Sequence, residues 1–206
     1  MNPIRNQGSC GGCYAFSAVN ALEAAYKINK GGSLLSLSEQ QLLDCTNKQG
    51  NSGCGGGLMT NAYKYLKSNE IVSRDSYPYS AVQGSCKASK YDGLFSVQNH
   101  KNLASGDVDA HIAALQNQPL SIAIASSSSV FMQYKSGILS SSACGTSLNH
   151  AVNLVGYGSE DGKDFWIARN SWGTNWGEKG YFRVARSDKD GPGVCGLLKM
   201  SSYPIV

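Results

Sequence analysis

The sequence predicts an α+β fold, because its hydrophobic periodicity changes from helical in the first half of the chain to strand-like in the second. Up to about residue 101, helix patterns alternate with glycine-rich loops. Beyond that point, short runs of β-branched and aromatic residues lie between glycine-bearing turns. Helices segregated from a mostly antiparallel sheet are typical of α+β proteins, and two unlike halves can form a cleft.

The helices are predicted by spacing and by their end signals. Residues 13–28 form the longest candidate, with apolar side chains at helical spacing among alanines and a Gly-Gly stop at 31 and 32. Ser36 and Glu39 have the spacing of a capping box before residues 40–43. Further helices are predicted over residues 58–67 and 108–116. The first half of the chain is therefore expected to be helical and rich in loops.

The strands are predicted in the second half. Pro119 introduces the β-favouring run 120–124, and similar runs cover residues 151–157, 165–169 and 181–185. Glycine-bearing turns separate them. The second half is therefore expected to be rich in strands.

Composition excludes several classes of protein. The chain has 206 residues, 41% hydrophobic and 16% charged, which is sufficient for a buried core and argues against disorder. The net charge of +4 is not concentrated in a basic stripe, so nucleic acid is not expected as a partner. No window has the length and apolar character of a membrane span. Seven cysteines suggest an oxidising compartment, although the N-terminus has no secretory leader, so we expect a mature or truncated form.

Cys13 is the first candidate for a chemical role. It lies where a glycine-rich loop, residues 8–12, enters the longest predicted helix. Amides at a helix start and the positive end of the helix dipole favour a thiolate. The position suits a nucleophile, but the cysteine count alone is equally compatible with Cys13 as a disulfide partner.

A thiolate nucleophile needs a proton carrier, and the chain has three histidines. His100 lies in a polar stretch and His111 on a predicted helix, so both are interpreted as solvated or packed. His150 precedes an apolar strand, from which a side chain can project into a cleft. A purely structural role for His150 stays open at this point.

Asn170 is the candidate that could orient the imidazole. A neutral amide oxygen can accept a hydrogen bond from one ring nitrogen and fix the tautomer. Asn170 ends a predicted strand, and Trp172 could shield the amide–imidazole contact from water. Taken alone, Asn170 would be interpreted as a turn former and Trp172 as a core residue.

Three blocks together resemble the papain family of cysteine peptidases, most closely its cathepsin L-like and papain-like branch. They are residues 7–17 (Gln-Gly-Ser-Cys-Gly-Gly-Cys-Tyr-Ala-Phe-Ser), 149–152 (Asn-His-Ala-Val) and 170–177 (Asn-Ser-Trp-Gly-Thr-Asn-Trp-Gly). Residues 38–45 and 193–197 extend the likeness over essentially the whole chain. The resemblance implies a papain-like two-lobed fold: a helical lobe, an antiparallel β-barrel-like lobe, and an active-site cleft between them.

The resemblance also implies a cysteine-type endopeptidase that acts through a thioester acyl-enzyme. Cys13 would be the nucleophile, His150 the general base and acid, and Asn170 the orienting amide. The side chain of Gln7 would donate to the oxyanion together with the backbone N–H of Cys13. No cofactor and no metal are implied.

The other six cysteines pair by resemblance as Cys10 with Cys54, Cys45 with Cys86, and Cys144 with Cys195, which leaves Cys13 outside the bridges. Spacing alone could not select this pairing, because six cysteines allow about 15 connectivities.

The substrate-binding positions also follow from the resemblance. Apolar side chains would line the main specificity pocket, which should prefer bulky apolar residues over arginine. The residues expected to contact substrate are Gly56, Gly57, Leu58, Met59, Ala123, Leu148, Asn149, Trp172 and Met200.

The expected domains are residues 1–101, with the tail 203–206 returning to them, and residues 102–202. Family members carry further residues before Gln7 and a removable prosegment, so we expect this chain to be N-terminally truncated. The implied partners are protein and peptide substrates, cystatin-like inhibitors and its own prosegment, for a monomer in a lysosome or acidic vacuole, or outside the cell.

Two substitutions within the motifs depart from the family pattern, and three other interpretations are weighed. Tyr14 replaces the usual tryptophan after the nucleophile, and Asn149 replaces an aspartate found in some members. One rival is a Cys-x-x-Cys thiol oxidoreductase using Cys10 and Cys13, and zinc binding by the same pair is weaker still. The third is an inactive relative that serves as a binding protein. Thiol titration and active-site labelling distinguish them.

Overall fold

The computed structural model describes all 206 residues, which form two compact units. The first comprises residues 1–3, 7–101 and 203–206, and the second comprises residues 4–6 and 102–202. None of the helices combines the length and the apolar character that crossing a bilayer would require.

The first unit is built around the helix α1 (Cys13–Lys30), with α2 (Glu39–Cys45) and α3 (Met59–Leu66). Every residue of α1 from 14 to 25 is buried, so this helix forms the centre of the unit rather than a surface element. Tyr14 is completely buried, and it therefore belongs to the core of this unit. The backbone N–H of Gly31 donates to the carbonyl of Lys27 and ends the helix.

The start of α2 differs from the capping box expected at Ser36. The N-cap is Ser38, whose hydroxyl oxygen accepts from the backbone N–H of Gln41 at 3.0 Å. The carbonyl of Ser36 instead accepts from the N–H of Arg74 at 2.9 Å. The prediction was wrong because two serines precede the helix, and only the long-range contact of Ser36 shows which of them lies outside it.

Short strands complete the first unit. β1 (Ile71–Val72) pairs antiparallel with β2 (Gly93–Phe95), and β3 (Asn99–Asn102) follows. The tail returns to this unit, since the N–H of Gln98 donates to the carbonyl of Ile205 at 2.8 Å.

The second unit contains a mostly antiparallel sheet and two helices, α4 (Val108–Leu115) and α5 (Ser129–Met132). Its strands are β4 (Leu120–Ile124), β5 (Ile138–Leu139), β6 (His150–Glu160), β7 (Lys163–Arg169), β8 (Tyr181–Ala185) and β9 (Ser201–Ile205). The sheet has seven strands in the order β3-β9-β4-β6-β7-β8-β5, of which residues 99–101 of β3 and 203–205 of β9 belong to the first unit. Together with the helices of the first unit, this sheet confirms the predicted α+β class.

The strands β3, β5 and β9 of this sheet were not predicted, and neither were two features of its pairing. The register of β6 against β7 shifts between Leu154 and Gly156, and β5 pairs in parallel with β8. Residues 4–6 also join this unit, because Asn6 forms an antiparallel bridge with Trp172 and the N–H of Gly173 donates to the carbonyl of Arg5.

Three disulfides cross-link the chain, and they are the pairs that the resemblance implies. Cys10–Cys54 and Cys45–Cys86 lie in the first unit, and Cys144–Cys195 lies in the second. Cys13 takes part in none of them.

Candidate active site

Cys13 is the first residue of α1, at the positive end of the helix dipole. The N-cap is Gly12, which has no side chain to cap the helix, and the first turn contains no acidic residue. The positive end of the helix dipole therefore lies at Cys13 with no carboxylate of the first turn beside it. Cys13 itself is half-buried.

The loop before Cys13 is fixed by backbone contacts. The N–H of Gly11 donates to the carbonyl of Cys54 at 3.0 Å, and the Cys10–Cys54 disulfide lies beside this bond. A Cβ atom at position 11 would lie 2.4 Å from the Cys54 carbonyl oxygen, so only glycine fits. Because Cys10 is bonded to Cys54, the Cys10–Cys13 dithiol of the oxidoreductase hypothesis is wrong.

Gln7 is buried in the same unit with its amide anchored. Its side-chain Nε2 donates to the carbonyl of Cys10 at 3.0 Å, which sets the direction of the amide. Its backbone carbonyl accepts from the hydroxyl of Tyr79 at 2.7 Å. Both ends of Gln7 are therefore tied to neighbouring groups.

The segment 56–59 is shaped by the buried Asn51. Its Oδ1 atom accepts from the N–H of Leu58 at 2.8 Å and from Nδ2 of Asn61 at 3.3 Å. A Cβ at Gly57 would lie 2.3 Å from the same oxygen, so glycine is required there by close approach. Leu58 is 42% exposed, whereas Met59 is 2% exposed, so Leu58 is the apolar side chain that this segment presents to solvent.

His150 opens β6 in the second unit, where its imidazole meets Asn170. Nε2 of His150 lies 2.8 Å from Oδ1 of Asn170, and both residues are buried. The same oxygen accepts from the backbone N–H of Ser171 at 2.8 Å, which fixes the amide with its oxygen toward the ring. Because an amide oxygen only accepts, Nε2 carries a hydrogen and Nδ1 is the nitrogen left to exchange a proton.

Trp172 covers this pair. Its ring stacks on the imidazole of His150 with centroids 4.7 Å apart and planes at 27°. Burial lowers the pKa of His150 to about 4, because the imidazolium loses hydration, and the hydrogen bond to Asn170 only partly offsets this. An uncompensated His150 is therefore neutral at neutral pH.

The remaining predicted substrate residues of the second unit lie near the start of β6. The N–H of Ala123 donates to the carbonyl of Met200 at 3.0 Å, and Met200 is 41% exposed. The Oδ1 of Asn149 accepts from the N–H of Ser126 at 2.9 Å and from its hydroxyl at 3.0 Å. Leu148 is half-buried, whereas Ala123 is at the edge of the core.

The other histidines have structural surroundings. His111 is fully buried, with Nδ1 at 2.6 Å from the carbonyl of Asp107 and Nε2 at 2.7 Å from the hydroxyl of Ser201. His100 packs against the ring of Tyr63. No group of three or more His, Cys, Asp or Glu side chains is arranged to hold a metal ion.

Sequence reasoning missed three residues that hold the candidate site: Asn51, Tyr79 and Ser126. Asn51 and Ser126 lie in loops, and their partners are 7 and 23 positions away. Tyr79 is 72 positions from Gln7. No local pattern marks these contacts, because each depends on the tertiary fold.

Comparison with known proteins identifies the family. The model of the papain family of cysteine proteases matches residues 1–205. The chain is 50% identical over 207 residues to the KDEL-tailed cysteine endopeptidase CEP2 of Arabidopsis thaliana, covering 100% of this chain and 56% of that protein. It is 46% identical to a probable cysteine protease, RD21C, of the same plant, of which it covers 45%. The chain thus spans about half the length of these relatives.

Solved structures support the same family. The bromelain protease from Ananas comosus, in complex with the E64 inhibitor, superposes with a TM-score of 0.93 at 38% identity, covering 100% of this chain and 94% of that one. The proform of the ragweed pollen cysteine protease Amb a 11 gives a TM-score of 0.94 at 38% identity, covering 100% of this chain and 63% of that one. The fold is papain-like, and the chain belongs to the papain family of cysteine proteases.

Proposed function

We propose that this chain is the catalytic part of a cysteine endopeptidase that uses Cys13, His150, Asn170 and Gln7. The observation that carries the proposal is the buried His150–Asn170 hydrogen bond, 2.8 Å long and covered by Trp172. A tautomer fixed by an amide and shielded from water is a costly arrangement for a residue with no chemical role. The one cysteine outside the three disulfides, at the start of a long helix, supplies the matching nucleophile.

In the proposed reaction, the sulfur of Cys13 attacks the carbonyl carbon of a peptide bond. The C–N bond then breaks, His150 delivers its proton to the leaving amine, and a thioester remains on Cys13. His150 next takes a proton from water, whose oxygen attacks the thioester carbon. The C–S bond then breaks, which releases the acid product and regenerates the Cys13 thiolate beside the protonated His150. Asn170 keeps the imidazole oriented through both steps.

Two donors would stabilise the oxyanion in each step. One is the backbone N–H of Cys13, and the other is the side-chain N–H of Gln7 that does not point to Cys10. Since the Cys10 carbonyl already orients this amide, little ordering remains to be done when the oxyanion forms.

The low pKa of His150 bears on how the nucleophile is activated. A buried imidazole holds its proton near neutral pH only if an anion compensates for the lost hydration. We propose that the Cys13 thiolate is this anion and that the two groups titrate as a coupled pair. The activity would then depend on pH as a bell whose limbs belong to the pair.

The specificity would be for bulky apolar side chains at the residue before the one that donates the scissile carbonyl. Support comes from the apolar character of Leu58, Ala123, Leu148 and Met200, none of which offers a carboxylate to an arginine. Met59 is nearly inaccessible, so we expect it to support Leu58 rather than contact substrate.

The expected organisation and partners follow from the same proposal. The first unit would supply Cys13 and Gln7, and the second His150 and Asn170. Protein substrates, cystatin-like inhibitors and a prosegment are the proposed partners of a monomeric enzyme. Three disulfides support an oxidising setting, so we propose a lysosome-like or vacuolar compartment, or secretion.

The proposal is tested by labelling with an epoxide inhibitor of papain-like thiols, alongside hydrolysis of a fluorogenic peptide library. Wild-type protein should be labelled at Cys13 and should cleave peptides, and the Cys13→Ala variant should do neither. A folded wild-type protein without Cys13-dependent labelling would instead favour the inactive, binding relative. A library result that favours arginine in the main pocket would reject the specificity assignment.

A further inference from the structure

Tyr79 contacts the segment that contains the candidate nucleophile at three places, all within the first unit. Its hydroxyl donates to the backbone carbonyl of Gln7 at 2.7 Å. The same hydroxyl oxygen lies close to Gly12, since a Cβ built on that glycine would be 3.7 Å from it. Its ring packs edge-on against Phe16, with centroids 4.8 Å apart and planes at 85°.

These contacts connect Gln7 to helix α1. The two must keep their relative position if Gln7 is to act together with Cys13. Phe16 is buried in α1 and lies three residues, almost one helical turn, after Cys13. Gln7 lies before the loop that enters the same helix, and its side chain is tied only a short distance away, at Cys10. The Tyr79 side chain therefore bridges the backbone of Gln7 to the helix itself.

Tyr79 is suited to act as a permanent donor. Burial raises the pKa of its hydroxyl to about 12, with the carboxylate of Glu39 acting in the same direction. The hydroxyl therefore keeps its hydrogen throughout the range in which a thiol peptidase works.

We propose that Tyr79 is a positioning residue that holds Gln7 in place as an oxyanion donor. This inference rests on the function proposed above, and it concerns the geometry of the donor and not the chemistry of the thiol. Small displacements of a donor can be costly, since about 1 Å of misplacement can lower a rate by about 10²-fold. Removal of the hydroxyl leaves the Gln7 amide present but less well placed, so we expect a loss of about 10-fold, less than the loss of the amide itself.

The test compares Tyr79→Phe with Tyr77→Phe. Tyr79→Phe keeps the ring and its contact with Phe16, and it removes only the hydrogen bond to Gln7. Tyr77→Phe is the matched control, because it removes a buried tyrosine hydroxyl from the same segment, one that donates to Asp44 at 2.6 Å. We expect Tyr79→Phe to lower kcat about 10-fold with little change in KM, and Tyr77→Phe to lower Tm without lowering kcat.

Two further measurements separate positioning from general damage. A peptide aldehyde forms a tetrahedral adduct whose oxyanion needs the donors, whereas alkylation of Cys13 by iodoacetamide needs no oxyanion. Tyr79→Phe should weaken aldehyde binding about 10-fold and leave the alkylation rate unchanged. In a Gln7→Ala background, Tyr79→Phe should have no further effect on kcat, because the donor it positions is absent.

An unchanged kcat in Tyr79→Phe, an equal loss in the Gln7→Ala background, or a parallel fall in alkylation would each overturn the inference. If wild-type protein is folded yet shows no Cys13-dependent turnover, the proposed function fails and the inference fails with it. Wild-type turnover with an unaffected Tyr79→Phe variant rejects the inference alone.

Discussion

The two units stabilise their candidate catalytic side chains by different means. In the first, Cys13 begins a buried helix, and two disulfides and several backbone-to-loop hydrogen bonds hold the surrounding loops. In the second, His150 begins the longest strand of the sheet, and Asn170 follows the neighbouring strand β7. Only one disulfide lies there.

This difference reflects how long-range order is obtained. Strand pairing fixes residues far apart in sequence through regular hydrogen bonds, as between Asn153 and Arg169. Loops and helices have no such ladder, so covalent links and single side chains, such as Asn51 and Tyr79, perform that task in the first unit. The helical unit is thus expected to be sensitive to individual contacts.

The largest expected effect tests whether the two units contribute to one reaction. Cys13→Ala and His150→Ala should each lower kcat by about 10⁶-fold, as for the linked groups of serine proteases. The double variant should be no worse than either single one, because each loss disables the same step. Steady-state kinetics on a fluorogenic peptide measures this. Multiplied effects in the double variant would mean that the two side chains act independently.

Disulfide removal tests whether the contrast in cross-linking extends to stability. In the chain-entropy account, bridges that span 41 and 51 residues should contribute similarly, about 4 kcal/mol each. We therefore expect Cys45→Ser with Cys86→Ser to cost the same as Cys144→Ser with Cys195→Ser, within about 1 kcal/mol.

Urea unfolding, with hydrogen exchange to follow each unit, is the measurement. A much smaller loss of unfolding free energy on removal of Cys144–Cys195 would show that the sheet already supplies the stabilisation expected from this bridge.

The buried imidazole of the second unit predicts a pH effect on stability. Where no thiolate compensates the imidazolium, the pKa of His150 is about 4 in the folded state and about 6.5 in the unfolded state, so the unfolded chain binds the proton first as pH falls. In a chain that lacks the thiolate, stability should therefore fall between about pH 6.5 and 4, by about 3 kcal/mol in total from this residue.

The Cys13→Ala variant isolates this effect, because no thiolate compensates the imidazolium. Comparing it with Cys13→Ala/His150→Gln cancels the contributions of His111 and the carboxylates. The slope of unfolding free energy against pH should be lower in the second variant. A His150 pKa at or above 6.5 in Cys13→Ala, measured by NMR, would contradict the prediction.

Removal of a helix cap is expected to give the smallest loss of stability. Each unit contains such a cap, so the two losses can be compared directly. Ser38 caps α2, and Asp107 caps α4 by accepting from the N–H of Ala110 at 2.8 Å. Asp107→Ala should cost about 1 kcal/mol. Ser38→Ala should cost about 2 kcal/mol, because the fully buried serine also donates to the carbonyl of Tyr77. Thermal unfolding measures both, and equal losses would argue against the greater sensitivity of the helical unit.

The sequence predicts elements whose signals are local. α1 was predicted because apolar spacing and its glycine stop lie within the helix itself, and β8 was predicted with its observed bounds. The strands β1, β2, β3, β5 and β9 were missed. Three of them, β1, β2 and β5, have only two or three residues, and all five are strands through pairing with distant segments. Ser36, which was expected to cap α2, instead bonds through its carbonyl to the distant N–H of Arg74.

The candidate site also has a part that the sequence predicts and a part that it does not. Cys13, His150 and Asn170 were found through their motifs, but the motifs contain no information on burial or on the support around each residue. The stacking of Trp172, the low pKa of His150 and the anchoring of Gln7 by Tyr79 arise from residues brought together by folding. These partners are far apart in the chain and follow no periodic pattern, so the sequence does not indicate them.

The presence of Tyr14 after Cys13 has an optical consequence. All three tryptophans, Trp166, Trp172 and Trp176, belong to the second unit. Emission excited selectively from indole therefore reports on the sheet-containing unit, whereas tyrosine is the main intrinsic fluorophore of the helical one. Since Trp172 stacks on His150, its quantum yield is expected to follow protonation of the imidazole, which gives an intrinsic and label-free signal of the charge on that ring.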